Sequence, residues 1–211
     1  MNDEHSIDPR VPCGFSGFRG DYAHYCRMHS ATTPLERLLL PLRAPALFAL
    51  AVYRFGRWLH FGSRLPRPLA LPLRILYVAL FEMSRHLTGI LLHTWAELEE
   101  NVWLGSFAPI MVGAQRIGSG SLIHGGVTLG SGGARGARGV PTLGRNVIVG
   151  PGASIVGPVR VPDGTVLGPN TLLTSTPATA SAWLGIPAMR WKRSPELLIP
   201  EYPAPAGGGQ S

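Results

Sequence analysis

Cysteine is almost missing from this chain of 211 residues, with Cys13 and Cys26 its only two. Two cysteines make no disulfide framework, and their spacing matches no metal motif. Charge is scarce as well: 15% of residues are charged and 45% are hydrophobic, the reverse of a disordered segment. Long uncharged apolar runs are absent. The longest in the N-terminal third, residues 44–53, is closed by Arg43 and Arg54, well short of the roughly 18 residues of a membrane span. The opening MNDEHSIDPR is polar and acidic, unlike a secretory leader. These absences lead to the expectation of a globular protein in a reducing, cytoplasmic compartment.

Glycine and proline, by contrast, are plentiful, at 27 and 20 residues. The glycines keep no three-residue period, which excludes collagen. The fold must therefore turn often. Net charge is +7, and 18 of the 19 basic residues are arginine. Residues 31–91 carry eight arginines against Glu36 and Glu82, whereas residues 92–178 carry five arginines and four acids. Such a basic segment suits peripheral contact with the inner face of an anionic membrane, or is the solvated side of amphipathic helices. Nucleic acid is not expected as a partner, because the arginines lack interleaved aromatics in a recognisable module.

Residues 1–30 read as a loop-like N-terminal arm. Leu38, Leu42, Ala46, Leu50 and Tyr53 then recur at helical spacing, with Pro41 and Pro45 as interruptions or starts. Pro66 and Pro68 break the chain, and a second helical pattern covers residues 71–87. Residues 31–91 are accordingly expected to hold two or three packed helices.

From Leu92 onward the pattern changes to a step of six: Leu92, Leu98, Leu104, Ile110, then, after one extra residue, Ile117, Ile123 and Leu129. Past an interruption it resumes as Leu143, Val149, Ile155, Val161, Leu167 and Leu173. A strand repeats at two and a helix near 3.6, so neither explains the step. Short strands joined by tight corners do, with each aliphatic residue pointing inward and contributing roughly 1.5–3 kcal/mol on burial. Gly118, Gly130, Gly144, Gly150 and Gly168 directly follow aliphatic positions, where close turns tolerate little side chain. The fold class is mainly β, a parallel β-helix of hexapeptide repeats over residues 92–190 behind an N-terminal α-helical segment. Leu129 and Leu143 are fourteen residues apart, so a glycine- and arginine-rich loop at 131–141 must leave the coil. Residues 191–211 form a tail whose Pro- and Gly-rich end is expected to be disordered.

A side chain that takes a proton from a substrate must titrate near neutral pH, and histidine suits the task. Only His93 and His124 lie on the coil; His93, at its opening, is assigned a structural role. His124 follows Ile123, three hexads and one residue beyond Leu104, so it should stack above Gly105 at the ordinary strand separation of roughly 4.8 Å. It is the candidate catalytic residue. Ser106 beside Gly105 is a candidate substrate contact, and Arg138, with Arg135 and Arg145, could pair with an acceptor carboxylate or phosphates.

The segments GSLIHGGVTLGSGG, VPTLGRNVIVGPGASIVGPVRV and WLGIPAMR, with AVYRFGRW and TGILLHTWAELEENVWLG upstream, resemble the serine acetyltransferase family and its relatives that acetylate exopolysaccharide sugars. The likeness covers residues 35–191. It implies a left-handed β-helix, a homotrimer and acetyl-CoA as acyl donor, with no metal. It also implies that Gly144, Gly150 and Gly168 let the donor lie close to the coil, and that Arg190 and Lys192, with Arg193, meet its phosphate. Two family features differ. An Asp-His pair is replaced by Gly105-Ser106, and a histidine before a proline by Val140 before Pro141. The acceptor expected is therefore a sugar or glycan hydroxyl. L-serine is the alternative, and a non-catalytic partner of an active relative is a third reading.

Overall fold

The computed structural model describes residues 15–63, 66–105, 108–132 and 139–191. Helix α1 (Phe15–Met28) lies where the sequence suggested a loop. Its buried residues include Gly17, Asp21 and Tyr25, one helical face spaced by four. A face built from glycine, a carboxylate and a phenol carries no hydrophobic periodicity, which explains the miss.

Helix α2 (Pro34–Arg43) starts on a capping box in which Thr33 and Glu36 exchange hydrogen bonds, with proline in its first turn. Helix α3 (Ala46–Arg57) runs into a π-helical turn, Trp58–Gly62. Helix α4 (Arg67–Thr88) accepts Pro68 in its first turn, where no helical N–H is needed, and ends on Gly89 at φ 70°. The helical segment thus holds three helices in the expected region, preceded by α1.

The remainder is a β-helix of three sheets. The first contains β1 (Ile90–Leu92), β4 (Ile110–Val112), β7 (Thr128–Gly130), β10 (Ser154–Val156) and β13 (Leu172–Leu173). The second contains β2 (Glu97–Leu98), β5 (Arg116–Ile117), β8 (Thr142–Leu143) and β11 (Arg160–Val161). The third contains β3 (Trp103–Leu104), β6 (Leu122–Ile123), β9 (Ile148–Val149), β12 (Val166–Leu167), β14 (Ala182–Leu184) and β15 (Met189–Arg190). All pairings are parallel except β14 with β15, so one further strand continues the coil after the hexads fade and the chain then turns back on it.

Register sorts the aliphatic residues into three inward columns. Leu98, Ile117, Leu143 and Val161 form one; Leu104, Ile123, Val149 and Leu167 another. In the first sheet the column is Leu92, Val112, Leu129, Ile155 and Leu173. Val112, not Ile110, is therefore the partner of Leu92, and Ile110 pairs with Ile90. Both side chains of β4 point inward, so spacing alone could not choose between them. The corners lie in left-handed backbone. Asn146 and Asn170 take φ 53° and 52°, and each side-chain oxygen occupies the space above a glycine, Gly120 or Gly152, at φ 72°. Asparagine tolerates this region and glycine makes the room.

The N-terminal end of the coil is closed by the helices. The Tyr25 hydroxyl donates to the Leu104 carbonyl (2.9 Å) and accepts from the Leu104 amide (2.8 Å). Tyr53 does the same across Ala96 O (2.6 Å) and Leu98 N (3.1 Å). Arg54, held by Asp21 at 2.9 Å, donates to Leu98 O and Glu99 O, and Arg57 donates to Thr94 O and Ala96 O. Burial pushes the Tyr25 phenol well up, so it keeps the proton it donates. Replacing Tyr25 by Phe leaves a buried amide and carbonyl unpaired and should cost about 1–3 kcal/mol in urea unfolding. Tyr22→Phe, which removes an exposed bond to the Arg37 carbonyl, should cost less than about 0.5 kcal/mol.

Candidate active site

Each strand of the third sheet is followed by a corner residue, and register stacks these corners into one edge: Gly105 after β3, His124 after β6, Gly150 after β9, Gly168 after β12. The Gly105 amide donates to Ile123 O at 2.7 Å, and the His124 amide to Val149 O at 3.0 Å. His124 thus stands directly over Gly105, as the spacing implied. Its imidazole is oriented by two contacts. Nδ1 lies 3.0 Å from the Val149 carbonyl, and the ring meets Trp103 edge-on with centroids 5.3 Å apart. A carbonyl only accepts, so Nδ1 is the donor, and in the neutral ring the lone pair then lies on Nε2. Among the described residues Nε2 has no partner. In that tautomer an imidazole can accept a proton from a hydroxyl.

Gly105 is fixed by close packing. A Cβ there would lie 2.7 Å from the Gly125 amide and 3.1 Å from the His124 carbonyl carbon. No side chain fits at 105 without moving the backbone that carries His124. Gly150 is similar, its Cβ falling 2.7 Å from Leu167 O, and at Gly168 a Cβ would strike the Leu184 side chain. Coil-to-coil approach thus accounts for these glycines, and the same lack of side chains leaves the edge beside His124 smooth.

Gly144 lies elsewhere. It follows β8 of the second sheet and packs against Asp163 and Gly118, one edge away from His124. Arg145 is with it, its Nε 3.4 Å from the buried Glu99 carboxylate. Glu99 also accepts from Arg116 and, at 2.9 Å, from the Ser119 amide. Gly144, Arg145, Glu99 and Arg116 line a cavity of about 440 Å³ against the outer face of the second sheet, together with Thr142 and Asp163. Burial lifts the Glu99 carboxyl, but the Arg116 and Ser119 hydrogen bonds with the charges of Arg116 and Arg145 outweigh it and hold the group below its ordinary value. His93 stacks on Trp95 and meets Phe81 at a tilt. Arg190 is exposed on β15. Ser106, Arg135, Arg138, Lys192 and Arg193 lie outside the described residues, as does most of the 131–141 loop.

Trp103 and the Val149 carbonyl were not anticipated from the sequence. Both follow from register, one residue before Leu104 and one coil beyond Ile123.

No family model matches the chain. Comparison with curated proteins finds the serine acetyltransferase of Mycobacterium tuberculosis, 28% identical over 195 residues, covering 91% of this chain and 76% of that protein. The serine acetyltransferase of Helicobacter pylori is 31% identical over 144 residues, covering 67% of this chain and 78% of its own length. The chain belongs to the serine acetyltransferase family. Among solved structures, Neisseria gonorrhoeae serine acetyltransferase in complex with serine superposes with a TM-score of 0.66 at 22% identity, over 83% of this chain and 68% of that one. The soybean enzyme gives 0.64 at 23%, over 84% and 70%. At those identities the structures establish the fold. The chain is a serine acetyltransferase-like, acetyl-CoA-dependent O-acetyltransferase, and no single helix among the described residues is long and apolar enough to cross a membrane.

Gly105→Ala should lower the melting temperature by the equivalent of about 1–3 kcal/mol. Gly130→Ala, whose Cβ would meet nothing nearer than 3.9 Å, should leave it nearly unchanged. Because the Glu99 value is depressed on folding, its contribution is complete above the ordinary carboxyl pKa of about 4.3 and disappears as pH falls through the lower folded value. Glu99→Gln should therefore be less stable than the parent at pH 7. The gap between them, measured by denaturation, should close as the pH is lowered past that value.

Proposed function

We propose that this serine acetyltransferase-like protein moves an acetyl group from acetyl-CoA to a small hydroxyl acceptor with His124 as the general base. The observation that carries the reading is the imidazole itself, held through Nδ1 by the Val149 carbonyl at 3.0 Å on the edge that also holds Gly150 and Gly168. As the acceptor oxygen attacks the thioester carbon, Nε2 takes the hydroxyl proton. The carbon–sulfur bond then breaks, and the departing thiolate receives that proton from His124. One ester forms for one thioester lost, with no net change of oxidation state. Gly150 and Gly168 are the donor-binding positions in this scheme, because a smooth edge lets an extended chain approach the backbone. Gly144, on the neighbouring edge, is left out of it. Assembly as a homotrimer belongs to the same reading.

L-serine is the favoured acceptor. The relatives that carry the family assignment are serine acetyltransferases, and this supports the sequence's second choice over its first. A carbohydrate hydroxyl is the second reading, favoured by Gly105. The coil admits no side chain at the position where the family's Asp-His pair would begin, and Val140 stands where a second histidine would precede Pro141.

The test is thiol release from acetyl-CoA with L-serine and with a panel of hexoses and amino sugars. His124→Ala should lower kcat by about 10²- to 10⁴-fold and leave acetyl-CoA binding, measured by calorimetry, intact. Release with serine supports the first acceptor, and release with sugars alone the second. Unchanged turnover in the variant would remove His124 from the mechanism.

A further inference from the structure

Helix α2 carries leucines at 35, 38, 39 and 42, the i, i+3, i+4, i+7 stripe of an amphipathic helix. Such a stripe normally faces the core. Here it faces away from it: Leu35, Leu38 and Leu42 are 64%, 75% and 79% exposed, and Leu40 is the residue that packs inward. Helix α4 repeats the arrangement, with Leu71, Ile75, Val78 and Leu87 outside and Tyr77, Ser84 and Thr88 inside. Trp58 and Phe61, on the π-helical turn between them, are also exposed. This is far more outward apolar surface than scattered single residues provide, and patches of that kind mark interaction sites.

Charge decides what covers it. Arg37, Arg43, Arg74 and Arg85 stand exposed on the same two helices. Of the acids there, Glu36 is engaged by the backbone and hydroxyl groups of Thr32 and Thr33, and Glu82 is paired with Arg85 at 2.5 Å. With its acids engaged, the surface is net positive, so a second copy would bring like charge to it. A lipid bilayer with anionic headgroups supplies the opposite charge and takes up leucine and aromatic side chains beneath it. A helix lying in the interface needs no spanning length; among the described residues no single helix could cross, while α2 and residues 46–62 have the length and composition to do so only as a pair bent by 83°. We infer that the outer faces of α2 and α4 dock the protein onto an anionic membrane surface, with the leucine stripes in the acyl boundary and the arginines at the phosphates. This docking rests on the helices alone and holds whichever hydroxyl the enzyme acetylates.

The experiment is co-sedimentation of the full chain with vesicles of phosphatidylcholine alone and of phosphatidylcholine with about a third phosphatidylglycerol. Wild type should partition at least about tenfold more strongly onto the anionic vesicles, with the advantage falling about tenfold between low and high salt. The variant Leu35→Ser/Leu38→Ser/Leu42→Ser should lose about tenfold or more of that partition. Its circular dichroism spectrum and its elution on size-exclusion chromatography should be unchanged. Arg37→Gln/Arg43→Gln/Arg74→Gln should remove the preference for anionic lipid. Two results would overturn the inference: a wild type that sediments with neither vesicle, or a leucine variant whose partition is unaltered while its oligomeric state falls. The second would make these faces contacts between copies of the chain.

Discussion

A β-helix satisfies each coil's backbone groups with the coils on either side, and its first coil has nothing before it. Buried amides and carbonyls left at that end would each cost as much as a lost hydrogen bond. In this protein side chains from the helices stand in for the missing coil. Tyr25 and Tyr53 each donate to one backbone group and accept from another, as a neighbouring strand would, and Arg54 and Arg57 take up the carbonyls around Ala96 and Glu99. The price is a buried ion pair. Asp21 and Arg54 are both almost wholly enclosed, a state that tolerates charge only when it is paired and hydrogen-bonded. The Asn101 amide adds a further bond to Asp21. The helical layer is therefore part of the β-helix's hydrogen-bonding system rather than an appendage.

The same coil spacing positions His124. Leu104, whose amide and carbonyl are closed by Tyr25, pairs with Ile123, and the residue after Ile123 is His124. Tight stacking leaves no room for a side chain at Gly105 and holds a carbonyl of the next coil within reach of Nδ1. In place of a carboxylate partner, the imidazole is oriented by Val149 O and by Trp103. A backbone carbonyl fixes the tautomer without adding the negative charge that an aspartate would bring.

Much of this was legible in the sequence, because a step of six is a direct imprint of the fold. Register confirms the columns on the second and third sheets, and the stacking of His124 over Gly105 follows from counting three hexads and one residue. Ile110 was misassigned because Val112, two residues on, also points inward, and alternation cannot rank two inward residues of one strand. Gly144 lies on the next edge, six residues before Gly150, whereas Gly150 and Gly168, eighteen apart, share one edge. Helix α1 was hidden for a different reason. Its buried face is Gly17, Asp21 and Tyr25, and a polar face is legible only once its partners, Arg54 and the backbone of the first coil, are known.

The claim that the helices act as the missing coil is tested most directly by native-state hydrogen exchange at the Leu98 and Leu104 amides, whose acceptors are the hydroxyls of Tyr53 and Tyr25. The account predicts protection comparable to that of the Leu122 and Ile148 amides, which bond to the backbone of interior coils. Exchange at Leu98 and Leu104 as fast as at solvent-exposed corner amides would contradict it.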